Sequence, residues 1–450
     1  MVPRGPRPAT REPAVPAPPQ SRPNAGAASA ARIRPAFAPA LLAVLAVVLT
    51  AGLLFGYDQA AIGTAMPAAL AGALLAGELA ERVGRRRAIL AAGALFAAGA
   101  ALQALEPPPF FPDGSHLVIG IGAGMAGLAA PLYAAELAPA ALRGRFVCAY
   151  QLAVTAAMVA AVPIERALAG SYGPRATLGG AAALGALLLL AALVAPESPR
   201  WLMMAGRRPA SVSVLERLAP ALADGATRTS WAAVFAQECR GPLCLGIGLA
   251  IFRQATGIAA LIDGAYQIFP ASGFVTTAAP FWTVGGAGLL GAGAAVFSID
   301  RLGRRALLLT GLIGMAAGLI VVGVAVPVVF SAPPEAADMA LIAILAGLAS
   351  FVACFAFSLG PVVMTLISEI FPVRARGRAM ALAMAANWAA AFVVERNARS
   401  IAGALGDSAT FWLFAMFCGV GWVWVYFSVP ETKGRSLEQI EAAWREARAA

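Results

Sequence analysis

Long apolar runs separated by short polar breaks set the pattern of this chain. The runs cover residues 38–64, 66–80, 88–105, 112–135, 146–167, 176–195, 243–268, 279–299, 306–330, 339–367, 379–402 and 409–429. A helix needs about 20 apolar residues to cross a bilayer, and many of the runs reach that length. The pattern predicts an all-α membrane protein with twelve transmembrane helices, six on each side of the polar break at 196–242. One run is anomalous. Residues 66–80 make a helix of only roughly 22 Å at about 1.5 Å per residue. Such a helix must thin the bilayer, tilt its neighbours or begin within the end of the first helix.

Composition agrees with that class. The chain has 450 residues, 60% hydrophobic and 12% charged, and a soluble chain carries about twice that charged fraction. The formal charge of +10 does not point to nucleic acid, because the arginines fall in short loops between apolar runs, where membrane topology explains them. They gather in alternate connections: Arg82 to Arg87, Arg143 and Arg145, Arg200 to Arg240, Arg301 to Arg305, and Arg374 to Arg378. The positive-inside rule then places both termini in the cytoplasm of a multi-pass cell-membrane protein. The expected organisation is a disordered basic tail over 1–36, a six-helix bundle over 37–195, a cytoplasmic linker with short helices over 196–242, a second six-helix bundle over 243–429 and a cytoplasmic tail over 430–450. The five cysteines contain no C-x-x-C pair, so neither a disulfide framework nor a metal site follows.

Three polar motifs occur twice in the same order. Glu81-Arg82-x-Gly84-Arg85-Arg86 answers to Asp300-Arg301-x-Gly303-Arg304-Arg305. Glu136-x-x-Pro139-x-x-x-Arg143-Gly144 answers to Glu369-x-x-Pro372-x-x-x-Arg376-Gly377, and Pro196-Glu197 to Pro430-Glu431. Three motifs repeated at nearly one offset mean an internal duplication, each half carrying the same device. The glycine in the first motif permits a tight turn between antiparallel helices. Its acid can face a helix N-terminus or a neighbouring arginine, and so favours the shape in which that partner is near. Asp58 is a further informative acid. A carboxylate in an apolar run is expensive, and one kept there can take up and release a proton.

Together these motifs resemble the sugar porters of the major facilitator superfamily, over nearly the whole chain beyond the first tail. The resemblance implies a two-bundle fold with pseudo-symmetric halves. It also implies a cytoplasmic gate built from Glu81, Arg82, Arg85, Glu136, Arg143, Glu197, Asp300, Arg301, Arg304, Glu369, Arg376 and Glu431, with acids and arginines pairing across the halves. In proton-coupled members an Asp stands where Asp58 does here. His116, the single histidine, occupies the position of the arginine that usually partners that acid. It is either half of a coupled proton site with Asp58 or a helix-end residue at the outer surface.

The sugar site implied by the resemblance is only partly kept. Gln151, Gln254, Asn387 and Trp388 match it. Arg253 replaces a glutamine, and Met364 stands where a tryptophan normally stacks on the sugar. A sugar needs many hydroxyl partners and an aromatic face, so these changes put a plain hexose in doubt. Arg253 would favour an acidic or otherwise modified polyol, unless it pairs with an acid such as Asp263. Glu395, Arg396 and Arg399 interrupt the eleventh run, and nothing in the sequence gives them a function. The expected activity is secondary transport of a sugar or related polyol by a monomer, with proton symport. No cofactor, metal or enzymatic step is expected, since neither a nucleophile–base pair nor a phosphate-cradling loop is present. A passive facilitator of the same fold, or a non-transporting sensor or decayed relative, are the alternatives.

Overall fold

The duplicated acid-Arg-x-Gly-Arg-Arg loops become turns of a single residue. Helix α2 (Met66–Val83) ends and α3 (Arg85–Leu105) begins on either side of Gly84, and α10 (Ala278–Leu302) and α11 (Arg304–Ser331) flank Gly303 in the same way. Both glycines have positive φ, 113° and 99°, a region that side chains with a Cβ avoid. The computed structural model describes residues 38–62, 66–105, 112–173, 175–206, 231–261 and 278–449, and no strand occurs among them.

The first half continues with α1 (Ala38–Tyr57), closed by a π-helical turn over Asp58–Ile62, then α4 (Pro112–Leu137), α5 (Arg143–Tyr172) and α6 (Arg175–Val194). Two short helices follow, α7 (Pro199–Met204) and α8 (Trp231–Val234). The second half holds α9 (Gln237–Ala255), α10, α11, α12 (Pro334–Phe357), α13 (Leu359–Ile370), α14 (Arg376–Leu405) and α15 (Asp407–Ser428). A last helix, α16 (Leu437–Ala449), lies beyond them.

Eleven described spans are long and apolar enough to cross a membrane, α12 and α13 counting as one. The twelfth is α2, which carries Glu78, Glu81 and Arg82. Its 18 residues reach three residues past the apolar run, so it is about 27 Å long at about 1.5 Å per residue. The added turn is polar, so the apolar stretch stays as short as expected, and the equivalent helix α10 has 25 residues. Likewise α9 starts six residues before its apolar run, within the expected linker, and the run 339–367 is two helices broken at Ser358. The expected disordered tail and Asp263 lie outside the described residues. The other tail is largely α16, and Val373 N donates to Glu441 Oε2 at 3.2 Å.

Within the first half α3 packs on α4 and α6, and α2 on α4; within the second, α11 packs on α12 and α15, and α10 on α12. Between the halves the main contacts are α2 on α14 and α5 on α10. These two contacts are equivalent under the duplication, because Glu81 of α2 answers to Asp300 of α10 and Arg376 of α14 to Arg143 of α5. Close approach is made with small residues, which bring apolar helices together by van der Waals packing. A Cβ on Gly77 of α2 would collide with Ala381 and the Gly377 carbonyl of α14.

Candidate functional site

The short turns aim the repeated charges inward at one face of the molecule. In the first half the Arg85 guanidinium is fully buried. Its Nε and Nη2 donate to Glu136 at 3.0 Å each, Nη2 to Glu81 at 3.2 Å and Nη1 to the Ala80 carbonyl at 2.8 Å. Ser198 Oγ donates to the same Glu136 at 2.5 Å. Glu197 sits at the start of α3, accepting from the backbone N–H groups of Arg85 and Arg86 at 2.9 and 3.1 Å. A carboxylate there meets the orphan donors and the positive end of the helix dipole.

The second half repeats this almost atom for atom. Arg304 is buried, donates to Glu369 at 2.8 and 3.2 Å, to Asp300 at 3.0 Å and to the Ile299 carbonyl at 3.2 Å. Thr432 Oγ1 donates to Glu369 at 2.7 Å, taking the part of Ser198. Glu431 accepts from the N–H groups of Arg304 and Arg305 at 3.0 and 3.1 Å. A Cβ on Gly84 or Gly303 would strike Glu197 or Glu431. Both glycines are therefore set twice, by backbone angle and by the carboxylate packed against them.

Other contacts join the halves on this face. Glu81 Oε1 accepts from Gly377 N at 2.9 Å and Asp300 Oδ2 from Arg145 N at 3.1 Å, so each acid also faces the first turn of a helix in the opposite half. Arg378 pairs with Glu78 at 2.8 Å, and Arg143 with Glu369 at 3.8 Å. Arg200 on α7 reaches Glu438 on α16 at 3.3 Å. Burial opposes ionisation of Glu438, but the nearby Arg200 charge and other groups outweigh it and hold this carboxyl below its ordinary range.

The expected pairing is corrected in detail. Glu136 and Glu369 take their main partners, Arg85 and Arg304, from within their own halves. Arg143 alone of the expected arginines makes an ion pair across the halves, and Arg376 donates instead to the Phe371 carbonyl at 3.0 and 3.2 Å. Arg82 is exposed and pairs with Glu78, and Arg301 is exposed; neither enters the buried clusters. Glu78, Arg378, Ser198, Thr432 and Glu438 were missed. Of these, Ser198 and Thr432 left a signal, a hydroxyl directly after the repeated Pro-Glu, and so did Arg378, which with Arg145 directly follows the repeated Arg-Gly.

Deeper between the bundles, Asn387 Oδ1 accepts from Gln254 Nε2 at 2.9 Å and from Arg253 Nη1 at 3.2 Å. Arg253 also lies over the Phe355 ring, 5.7 Å from its centroid. Trp388 packs on Phe55 with ring centroids 5.7 Å apart, and Phe55 on Tyr150 at 6.3 Å. Gln151 is buried against Gly360 at the start of α13, and Met364 is buried on the same helix. Helix α9 stops at Gly257, with φ 80° and the Phe414 ring against it. The helix resumes over 258–261, with Leu261 N donating to the Gly257 carbonyl at 2.8 Å. Asp58 is fully buried in its π-helical turn, and Gln59 Nε2 lies 3.5 Å from its Oδ2. His116 on α4 is half-buried, with Gln103 Nε2 3.1 Å from Nε2 and 3.3 Å from Nδ1.

The chain matches the family model described as sugar (and other) transporter over residues 64–444. It is 31% identical over 432 residues to a D-xylose transporter of Levilactobacillus brevis, covering 88% of this chain and 93% of that protein. Its fold is similar to that of the proton:xylose symporter XylE bound to 6-bromo-6-deoxy-D-glucose, with a TM-score of 0.74 at 28% identity over 90% of this chain and 99% of the other. Against the inward-open conformation of XylE from E. coli the TM-score is 0.62 at 26% identity, over 90% of this chain and all of the other. The duplicated charge clusters, the twelve-helix architecture and these matches together place the chain in the sugar transporter family of the major facilitator superfamily.

Proposed function

We propose that the protein carries a sugar or related polyol across the cell membrane by alternating access, together with a proton. The observation that carries this reading is the double tie on one face: Glu81 to the start of α14 and Asp300 to the start of α5. Two like-built bundles joined by the same reversible polar device are suited to rocking about a site between them. The arginine-rich loops support assigning this face to the cytoplasm, with both termini there. The structure is then closed inward, in keeping with its poorer fit to the inward-open relative. Gln151, Gln254, Asn387 and Trp388, with Arg253 and Met364, line the ligand site, and the protein works as a monomer.

Asp58 is the proton carrier in this reading. A carboxylate fully buried where α1 ends, in a membrane helix, is retained for use rather than stability. Proteoliposomes with an acid exterior test it with a panel of labelled sugars. The gradient is expected to drive accumulation, and Asp58→Asn to keep exchange down the concentration gradient while losing accumulation. Accumulation that survives collapse of the gradient by a protonophore would overturn proton coupling. Changed pH profiles of uptake in His116→Ala and His116→Arg would bring His116 into the coupling, whereas unchanged profiles in both remove it.

A further inference from the structure

Arg253 is the feature that a neutral sugar leaves unexplained. It lies ten residues beyond the start of its apolar run, about 15 Å along the helix at about 1.5 Å per residue, and so near the middle of the bilayer. A guanidinium there is costly unless its charge is met. Its contacts among the described residues are neutral: Asn387 Oδ1 at 3.2 Å and the face of Phe355. Among the described residues no carboxylate comes within ion-pair distance of it. It does sit in the last turn of α9, where the helix dipole offers a partial negative charge. That offsets only part of a full positive charge.

A second observation points the same way. Arg253 Nε and the indole Nε1 of Trp388, one residue on from Asn387, are buried donors with no acceptor among the described residues. Asn387 already spends its carbonyl on Gln254 and Arg253. Among the described residues the site therefore has donors and positive charge to spare, and at Met364 it has a flexible thioether rather than a flat ring. Such a lining suits a ligand rich in acceptors and carrying negative charge. A carboxylate can take two hydrogen bonds from one guanidinium, which makes the pair both strong and directional.

We propose that the transported substrate is a sugar acid, a uronate or aldonate, whose carboxylate is held by Arg253; this inference rests on the sugar-transport reading above. Uptake of D-glucuronate and D-glucose into proteoliposomes, singly and in competition, tests it, because the two share a ring and differ only at the terminal carbon. The wild type is expected to favour D-glucuronate by roughly tenfold or more, the worth of a charged hydrogen-bond pair. Arg253→Gln should abolish that preference or reverse it towards D-glucose, while Arg253→Lys should keep part of it. Equal or better uptake of D-glucose by the wild type overturns the sugar-acid proposal and leaves sugar transport standing. Uptake of neither compound, nor of any sugar in the wider panel, overturns both.

Discussion

At the scale of single residues, Arg85 and Arg304 are tightly held. Each is buried with a bidentate carboxylate, a second acid and a carbonyl, so every face of the guanidinium is met. Breaking such a pair from one side leaves a buried charge uncompensated and costs roughly 3–5 kcal/mol. Arg85→Ala is therefore expected to lower the melting temperature in detergent sharply. Arg85→Ala with Glu136→Gln should recover part of the loss, since the orphaned charge goes with it. A single variant as stable as the wild type would contradict the assigned role. These residues were legible because the repeat picked them out, and an unrelated pair of loops has no reason to repeat an acid and a glycine. Glu78 was not legible, because Phe297 answers to it in the other half; Arg378 repeats Arg145 of the first half, but only the packing of α2 on α14 shows that Glu78 is its partner.

At the scale of elements, the Arg-Gly step that opens α5 and α14 acquires a reason. A Cβ on Gly144 would collide with Asp300, and one on Gly377 with Glu81. The glycine is what lets an acid from the opposite half reach the first turn of the helix and meet its free N–H groups. Gly377→Ala and Gly144→Ala are thus expected to loosen the tie between halves while leaving each bundle folded. Cysteines placed along the inner rim should label faster in both variants, with the melting temperature shifted little. Unchanged labelling would show that the tie does not hold the face shut. The sequence showed where these helices begin, through Arg143-Gly144 and Arg376-Gly377, but not which acid meets them. That follows only from the crossing of α2 with α14 and of α5 with α10. The length of α2 was hidden for a related reason. Its last turn is polar because it faces the charge clusters, and a reading keyed to apolar residues stops short of it.

At the scale of the whole molecule, the contacts divide into those that opening must break and those it can keep. Arg85–Glu136 and Arg304–Glu369 lie within one half each and can ride through the cycle. Glu78–Arg378, Arg143–Glu369 and the two acid-to-helix contacts join the halves, and Arg200–Glu438 ties α7 to α16. A proton could in principle release the last of these and so confuse the coupling assigned to Asp58. The direction of the Glu438 shift argues against that. Its carboxyl is held below the ordinary value of 4.5 by Arg200 and other groups, which outweigh the effect of burial. A depressed carboxyl contributes its stabilisation fully above its ordinary value and loses it only as pH falls through the lowered one. Across the near-neutral range Glu438 therefore stays charged and the tie stays made. Glu438→Gln is expected to change the rate of uptake by a constant factor at every near-neutral pH, leaving the shape of the pH profile as in the wild type. Asp58→Asn is expected to flatten that profile. If Glu438→Gln moved the midpoint instead, the proton sensor would lie on the inner rim rather than at the end of α1.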